Sequence, residues 1–364
     1  MNWSEREIKS DHRCKTVQIS VISARELTPE HIGAWAAIQS ANPALESPFF
    51  RPEFTMAVAQ SAENIFIGIL RDERGGPVGF FPFELVRPGF GRNLEMCDHQ
   101  GVIAPTALEW DAADLLRGCG LNVWEFDHLI TGQQSFRRFH MHTADSPVMN
   151  LAQGYDTYTT SLSDDGKRQL TKVATSARKV ERELGPLRFV LHTEDAAVMQ
   201  KMHEWRARKY GLLPARSHAA LETLRATKAE GFAGVLSALY AGDTLIAVHF
   251  GIRSRTVWHW WFPTYNPDLP SRYAPGMLLL LNMARSAPEL GAQTIDLGKG
   301  VADYKVKFRT GALTVASGSV DVPCLSNLPR IVRRNTLNFI RNTPALVYLA
   351  RRAKKIFKSQ PSAD

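Results

Sequence analysis

The residues with chemistry in them gather between positions 249 and 308. Pro275 and Gly276 open an apolar run, Met277 to Ala284. Proline suits a first helical position, because its φ is already helical and its missing N–H would have no partner there. The N–H groups of Gly276, Met277 and Leu278 are then expected to point at one spot. A glycine there lets a bulky group approach the backbone, which makes a site for an anion or phosphate. Asp296 ends Thr294 to Leu297, read as a strand, and a carboxylate at a strand's C-terminal end sits beside the usual ligand crevice. It serves as a base, holds an acceptor, or caps the turn from Gly298 to Gly300. His249 lies between Val248 and Phe250, and strand alternation puts it on the face opposite both: a site, or plain surface.

Lys299, Lys305 and Lys307 offer charge to phosphates or an anionic acceptor, or else form a solvated helix face. Trp258, His259, Trp260 and Trp261 read as one strand whose rings stack on a sugar or nucleotide, or fill a core. Pro263 is expected to interrupt its ladder, as a bulge beside a bound thioester would. A strand, an anion-accepting helix, a second strand and a Tyr-bearing helix are what an acyl-CoA-dependent transferase needs.

The elements that must hold these residues can be read in order. Val17 to Ser23 alternates as a strand, and Thr28-Pro29-Glu30 starts a helix to about Ser40. Ser47-Pro48-Phe49-Phe50 leads to a second helix ending near Gln60. Ile65 to Leu70 and Val78 to Val86 make a hairpin with Gly75-Gly76 at its tip. Gly89-Phe90-Gly91 has no helix after it and reads as a turn. Leu108 to Cys119 follows as a helix, Val123 to Phe126 as a short strand, and Tyr155 to Tyr158 closes a first lobe. The second half reads as a basic helix (Asp165 to Leu184), a strand (Leu187 to His192) and two helices (Ala196 to Tyr210 and Ala219 to Ala229). A second hairpin comes next, Gly234 to Tyr240 and Thr244 to Ile252, and the half ends on a strand pair, Leu313 to Val322. The two hairpins match in strand length, turn and position after two helices, which suggests a duplicated α/β unit.

Composition bounds the rest. The 364 residues allow two domains with real cores. Among 11 histidines only His140 and His142 are closely spaced, which is weak as a metal site, so no metal is expected. Cys14, Cys97, Cys119 and Cys324 show no Cys-x-x-Cys, arguing for a reducing compartment. With no long apolar stretch and a polar start, a cytoplasmic protein is expected. The net charge of +8 resides in the tail: from Leu325 onward there are nine Lys/Arg against Asp364 alone. The body is neutral, so the high pI does not argue for nucleic-acid binding. In the tail, basic residues alternate with Ile331, Leu337, Phe339, Ile340 and Phe357, which suits an anionic membrane surface or acidic partner.

Three motifs carry a family likeness: Tyr265-x7-Tyr273-x-Pro275-Gly276, Asp296-x-Gly298-x-Gly300, and Tyr304-Lys305-x-Lys307-Phe308. Together with Arg206 to Tyr210 and Pro48-Phe49-Phe50, they resemble the GNAT domain of CelD-type proteins, linked to cellulose and exopolysaccharide biosynthesis. Fem-type aminoacyl transferases are distant two-lobed relatives. The resemblance implies an α/β fold of tandem GNAT-like lobes, each a mixed twisted sheet flanked by helices. Its expected divisions are a lead-in (1–16), an N-terminal lobe (17–160), a C-terminal acyltransferase lobe (161–324) and a basic tail (325–364). It implies acetyl-CoA or another acyl-CoA as donor, held by Arg272, Gly276, Met277, Leu278 and Lys305. Tyr304 is the expected acid to the leaving thiolate, with Asp296 and His249 as its catalytic companions. Trp260, Tyr265 and Lys299 are expected against a sugar or polysaccharide-precursor acceptor. The usual pyrophosphate loop reads Gln/Arg-x-x-Gly-x-Gly/Ala, and here Pro275 and Met277 replace its glycine and small residue. That departure keeps open aminoacyl-tRNA as donor, in Fem-type fashion, and a non-catalytic accessory role.

Overall fold

A computed structural model describes residues 17–324 together with Asn327 and Arg330. The same order of elements occurs twice. The first set is β1 (Gln18–Ser23), α1 (Pro29–Ala41), α2 (Pro52–Ser61), β2 (Ile65–Arg71), β3 (Pro77–Arg87), β4 (Phe90–Arg92), α3 (Ala112–Gly118), β5 (Val123–Ile130) and β6 (His140–Asn150). Two linking helices follow, α4 (Gly154–Ser161) and α5 (Asp164–Leu184). The second set opens with β7 (Leu187–Val190), α6 (Ala196–Tyr210), α7 (Ala215–Ala226), β8 (Lys228–Ala229), β9 (Phe232–Ala241) and β10 (Thr244–Arg253). It continues with β11 (Val257–His259), β12 (Phe262–Tyr265), α8 (Pro275–Ser286), β13 (Thr294–Asp296), α9 (Asp303–Phe308) and β14 (Gly311–Asp321).

Local chemistry accounts for the helix boundaries. Thr28 accepts the His31 N–H at 3.3 Å ahead of Pro29, Ser163 accepts that of Gly166 at 3.2 Å, and Asp195 that of Ala197 at 2.8 Å. Each cap satisfies a donor that the first turn leaves free, worth about 1 kcal/mol. Helix α6 ends at Gly211, whose φ of +82° other residues rarely adopt.

The strands join in one sheet, in the order β1-β2-β3-β4-β5-β14-β6-β13-β11-β10-β9-β7. Strand β4 runs parallel to β5, and β11 runs parallel to β13, so each half has its own parallel pair. The halves exchange their last strands: β6 pairs with β13, and β14 pairs with β5. Helices α1 and α2 from one half and α6 and α7 from the other close over a shared core. Phe49, Phe50, Phe54, Met202, Leu221 and Leu224 are buried there, and Trp35 stacks on Phe80 at 4.9 Å. Truncating one such aromatic to alanine would cost about 3–5 kcal/mol.

Several expectations change. The helix expected from Leu108 begins at Ala112, where Asp111 caps it. Gly89-Phe90-Gly91 leads into a strand, β4, rather than being only a turn. The terminal strand pair is one long strand, β14, because both of its edges find partners in the first half. The aromatic strand from Trp258 to Phe262 is broken into β11 and β12. The break falls at Trp260-Trp261 and not at Pro263, which stays in β12 opposite His249. Trp260 donates its N–H to the Asp296 carbonyl (2.7 Å), while Trp261 donates to His249 Nε2 (3.2 Å), so the two residues turn toward different strands. The lead-in and the basic tail lie outside the described residues, Asn327 and Arg330 excepted. Arg330 is bound to Asp321 (2.8 Å) and Glu125. Among the described residues, no helix is long and apolar enough to cross a membrane.

Candidate active site

Where β11 breaks from β12, the pairing with β13 stops and the sheet of the second half splits. The last β11–β13 pair is His259 with Asp296, and past the Trp260 N–H bond β12 continues against β10 alone. Two strands that separate mid-sheet leave room for a slender ligand between them. Tyr304 of α9 stands at this opening, its hydroxyl oxygen accepting the Trp260 Nε1–H at 3.1 Å. Indole is a donor only, so the phenol keeps its own proton for another acceptor. Burial raises the Tyr304 pKa, and the Trp260 bond opposes that, so the group stays protonated. Trp260 itself is buried, stacked on the His249 ring at 4.9 Å, and has no face open to a sugar.

Helix α8 begins beside the same opening. Ala274, just before it, has a φ of +49°, a left-handed conformation that costs an alanine about 1–2 kcal/mol. No side chain caps the helix, and Tyr265 lies 3.5 Å from where a Cβ on Gly276 would be. The expected trio of free amides is reduced to one. Met277 and Leu278 both donate to the Ala274 carbonyl (3.0 and 3.1 Å), because the carbonyl of the residue before a helix accepts its first intrahelical bonds. Gly276 precedes them, where a helix offers its N–H no acceptor. Arg272 turns outward to Glu183, 3.5 Å away. On the other side, Lys209 and Tyr210 from the end of α6 overlook Tyr265, the lysine 5.5 Å from its ring.

One residue back from the break lies a cluster of carboxylates and imidazoles drawn from both halves. Asp98 Oδ2 and His259 Nε2 are 2.9 Å apart. Asp296 Oδ1 accepts from Ser146 Oγ (2.7 Å) and Gly298 N–H (2.8 Å), and lies 3.9 Å from His259 Nδ1. Its Oδ2 faces His99 Nε2 at 3.3 Å. His128 lies 3.9 Å from Asp98 and 3.0 Å from Asp127. Burial alone would raise the Asp98 carboxyl, but the His259 bond and the nearby imidazoles outweigh it and hold the pKa low. Burial pushes the His99 imidazole down, against the pull of Asp296. Asp98 reaches solvent, its side chain 28% exposed, as do His128 and Asp127, while the side chains of His259 and Asp296 are 0% exposed. A cleft of about 650 Å³ between the halves, lined by Glu46, Ser47, Thr256 and Thr314, has His99 and Asp296 at its floor.

The sequence-read residues therefore separate. Tyr304, Trp260, Tyr265 and Gly276 come together at the crevice. Asp296 is fully buried and does cap the Gly298 turn. Lys305, expected on the donor, donates instead to the Gly298 and Lys299 carbonyls (3.0 and 3.2 Å), beside Asp98 and Asp296. Burial lowers its pKa, which those two carboxylates oppose. Lys299 reaches across to the Asp127 carbonyl at 2.6 Å. His249 is fully buried and accepts the Trp261 N–H, and burial drives its pKa to about 3, so it is no base facing an acceptor. Asp98, His99 and His128 were missed. The only hint was a polar Asp98-His99-Gln100 between apolar Cys97 and Val102.

Residues 167–306 match the family model described as the acetyltransferase (GNAT) domain. No curated protein matches the chain in sequence. Among solved structures, FemX aligns with a TM-score of 0.57 at 9% identity, over 86% of this chain and 99% of that one. The C-terminal DUF2156 domain of a putative lysylphosphatidylglycerol synthetase from Agrobacterium fabrum gives 0.51 at 10% identity, over 84% and 96%. A tandem GNAT protein from the clavulanic acid biosynthesis pathway gives 0.50 at 10% identity, over 85% and 99%. At such identities these likenesses speak for the fold. Residues 167–306 thus carry a GNAT-type acetyltransferase domain, set in a fold like that of the tandem GNAT proteins.

Proposed function

We propose that the protein transfers an acyl group from acyl-CoA to an amine or hydroxyl of a sugar or polysaccharide precursor, in the CelD-type role of cellulose or exopolysaccharide production. In this reading residues 17–160 and 161–324 are two lobes that exchange their last strands. The observation that carries it is the protonated Tyr304 hydroxyl, held by Trp260 at the break between β12 and β13. A thioester lying in that break would meet Tyr304 as the acid for its departing thiolate. The acceptor's proton goes to the partly exposed Asp98 carboxylate, whose Oδ2 already accepts the His259 Nε2–H at 2.9 Å and is held in place by it. Asp296 acts as a positioning residue, since Ser146 and Gly298 already occupy its Oδ1. Lys305 sets positive charge beside the carboxylates.

The commitment of the Met277 and Leu278 amides favours a second reading, in which the donor is an aminoacyl-tRNA in Fem-type fashion. Thiol release from acetyl-CoA, with and without an amino sugar or a nucleotide-linked sugar, separates the two. The first reading expects slow release alone, faster release with acceptor, and about a 10²-fold loss in Tyr304→Phe. No release from the wild type at any concentration, with transfer from aminoacyl-tRNA instead, would replace it by the second.

A further inference from the structure

Away from the crevice, α6 and α7 bring three metal-binding side chains together. His218 and Glu222 are four residues apart on α7 and so share one face. His203 of α6 lies across from them, its ring stacked on that of His218 with centroids 3.9 Å apart and planes at 23°, so one ring must turn about χ2 for both in-plane lone pairs to meet at one ion. One ligand atom from each of the three lies within 4.8 Å of the other two. His203 Nε2 is buried without a hydrogen-bond partner, and its nearest carboxylate oxygen, Glu222 Oε1, is 3.7 Å away. That separation is too long for a hydrogen bond. It is close to the roughly 3.3 Å between two ligands on a tetrahedral ion with bonds of about 2.0–2.1 Å. Glu222 Oε2 is held by Arg225 Nε at 2.9 Å, which fixes the carboxylate with Oε1 turned toward the histidines.

We propose that His203, His218 and Glu222 form a site for a divalent transition metal of the zinc class, which clips α6 to α7. Two imidazoles and one carboxylate suit such an ion and not magnesium or calcium, which want oxygen. Water completes the coordination on the exposed His218 side. The clip joins two elements with different attachments. Helix α7 is anchored to the first half through Ser217 to Glu95 (2.9 Å) and Arg216 to Glu84 (3.2 Å). Helix α6 ends in Lys209 and Tyr210 over the crevice, so the metal would fix that end relative to the first half.

The test uses the untagged full chain, stripped with a chelator and titrated with Zn²⁺ against a chromophoric competitor. One equivalent should bind, excess Mg²⁺ should not displace it, and the melting temperature should rise with occupancy. His218→Ala alters an exposed residue and Glu222→Gln preserves shape, so both should fold. Each should weaken Zn²⁺ by at least the roughly 10–100-fold that loss of a supporting outer-shell group brings. Absence of one-equivalent uptake by the wild type, or uptake unchanged in both variants, overturns the proposal.

Discussion

The two halves share a common order of elements, to which the second adds β8, the break between β11 and β12, and α9, and they differ at a helix entry. In the first half, the helix between the parallel strands is α3, and Asp111 caps it by accepting the Ala113 and Asp114 N–H groups at 2.7 and 3.2 Å. A carboxylate of the chain itself thus fills the place where an anion would dock. In the second half α8 has no side-chain cap and is entered through strained Ala274. The core differs in the same sense. Phe136, in the segment after β5, is buried against Trp124 and Trp110, whereas Tyr304, after β13, keeps a polar tip at an opening. The first half has closed its own crevice, yet its loop after β4 lends Asp98 and His99 to the other. The two frames therefore differ in their helix-cap chemistry and in the one long loop that crosses between them.

That asymmetry is open to attack, most severely at the loan. Asp98→Asn removes the solvent-facing carboxylate while preserving shape, and kcat is expected to fall by roughly 10²- to 10⁴-fold. Unchanged turnover would show that the first half contributes no chemistry. A smaller effect separates buried His249 from the reacting groups. Its pKa is lowered to about 3 in the fold, from about 6.5 in an unfolded chain. Between those values the unfolded chain binds a proton that the native state refuses, so stability falls as pH falls. The slope from this residue is about 1.4 kcal/mol per pH unit. Denaturant melts of His249→Gln from pH 7 to pH 4 should be flatter by that amount, and an unchanged slope would contradict the assignment. The smallest effect is at the closed helix entry, where Asp111→Ala should cost about 1 kcal/mol of stability and leave turnover intact.

Much of the frame was legible because it rests on local signals. Thr28-Pro29 marks a helix start by its own chemistry, and both hairpins announce themselves by apolar strands about a glycine turn. Strand β6 was not legible, since its first half is a polar run whose side chains face solvent. Nor could chain order show that β14 would pair with strands of the first half. The site divides along the same line. Tyr304, Trp260, Gly276 and Asp296 fall in one stretch and could be read together. The Asp98–His259 pair joins residues 161 positions apart, a contact that folding alone creates. The amides of Met277 and Leu278 were misread because the carbonyl of the residue before the helix takes its first intrahelical bonds, which after Pro275 leaves the Gly276 amide without a helical acceptor.

The most direct measurement of the central claim is a calorimetric titration with acetyl-CoA of the wild type, Gly276→Val and Asp111→Ala. If the open entry of α8 alone holds the donor, the wild type binds one equivalent. Gly276→Val then loses that binding, by filling the space beside Tyr265, and Asp111→Ala retains it unchanged at the same stoichiometry. Binding that survives in Gly276→Val, or a second equivalent appearing in Asp111→Ala, would contradict the account.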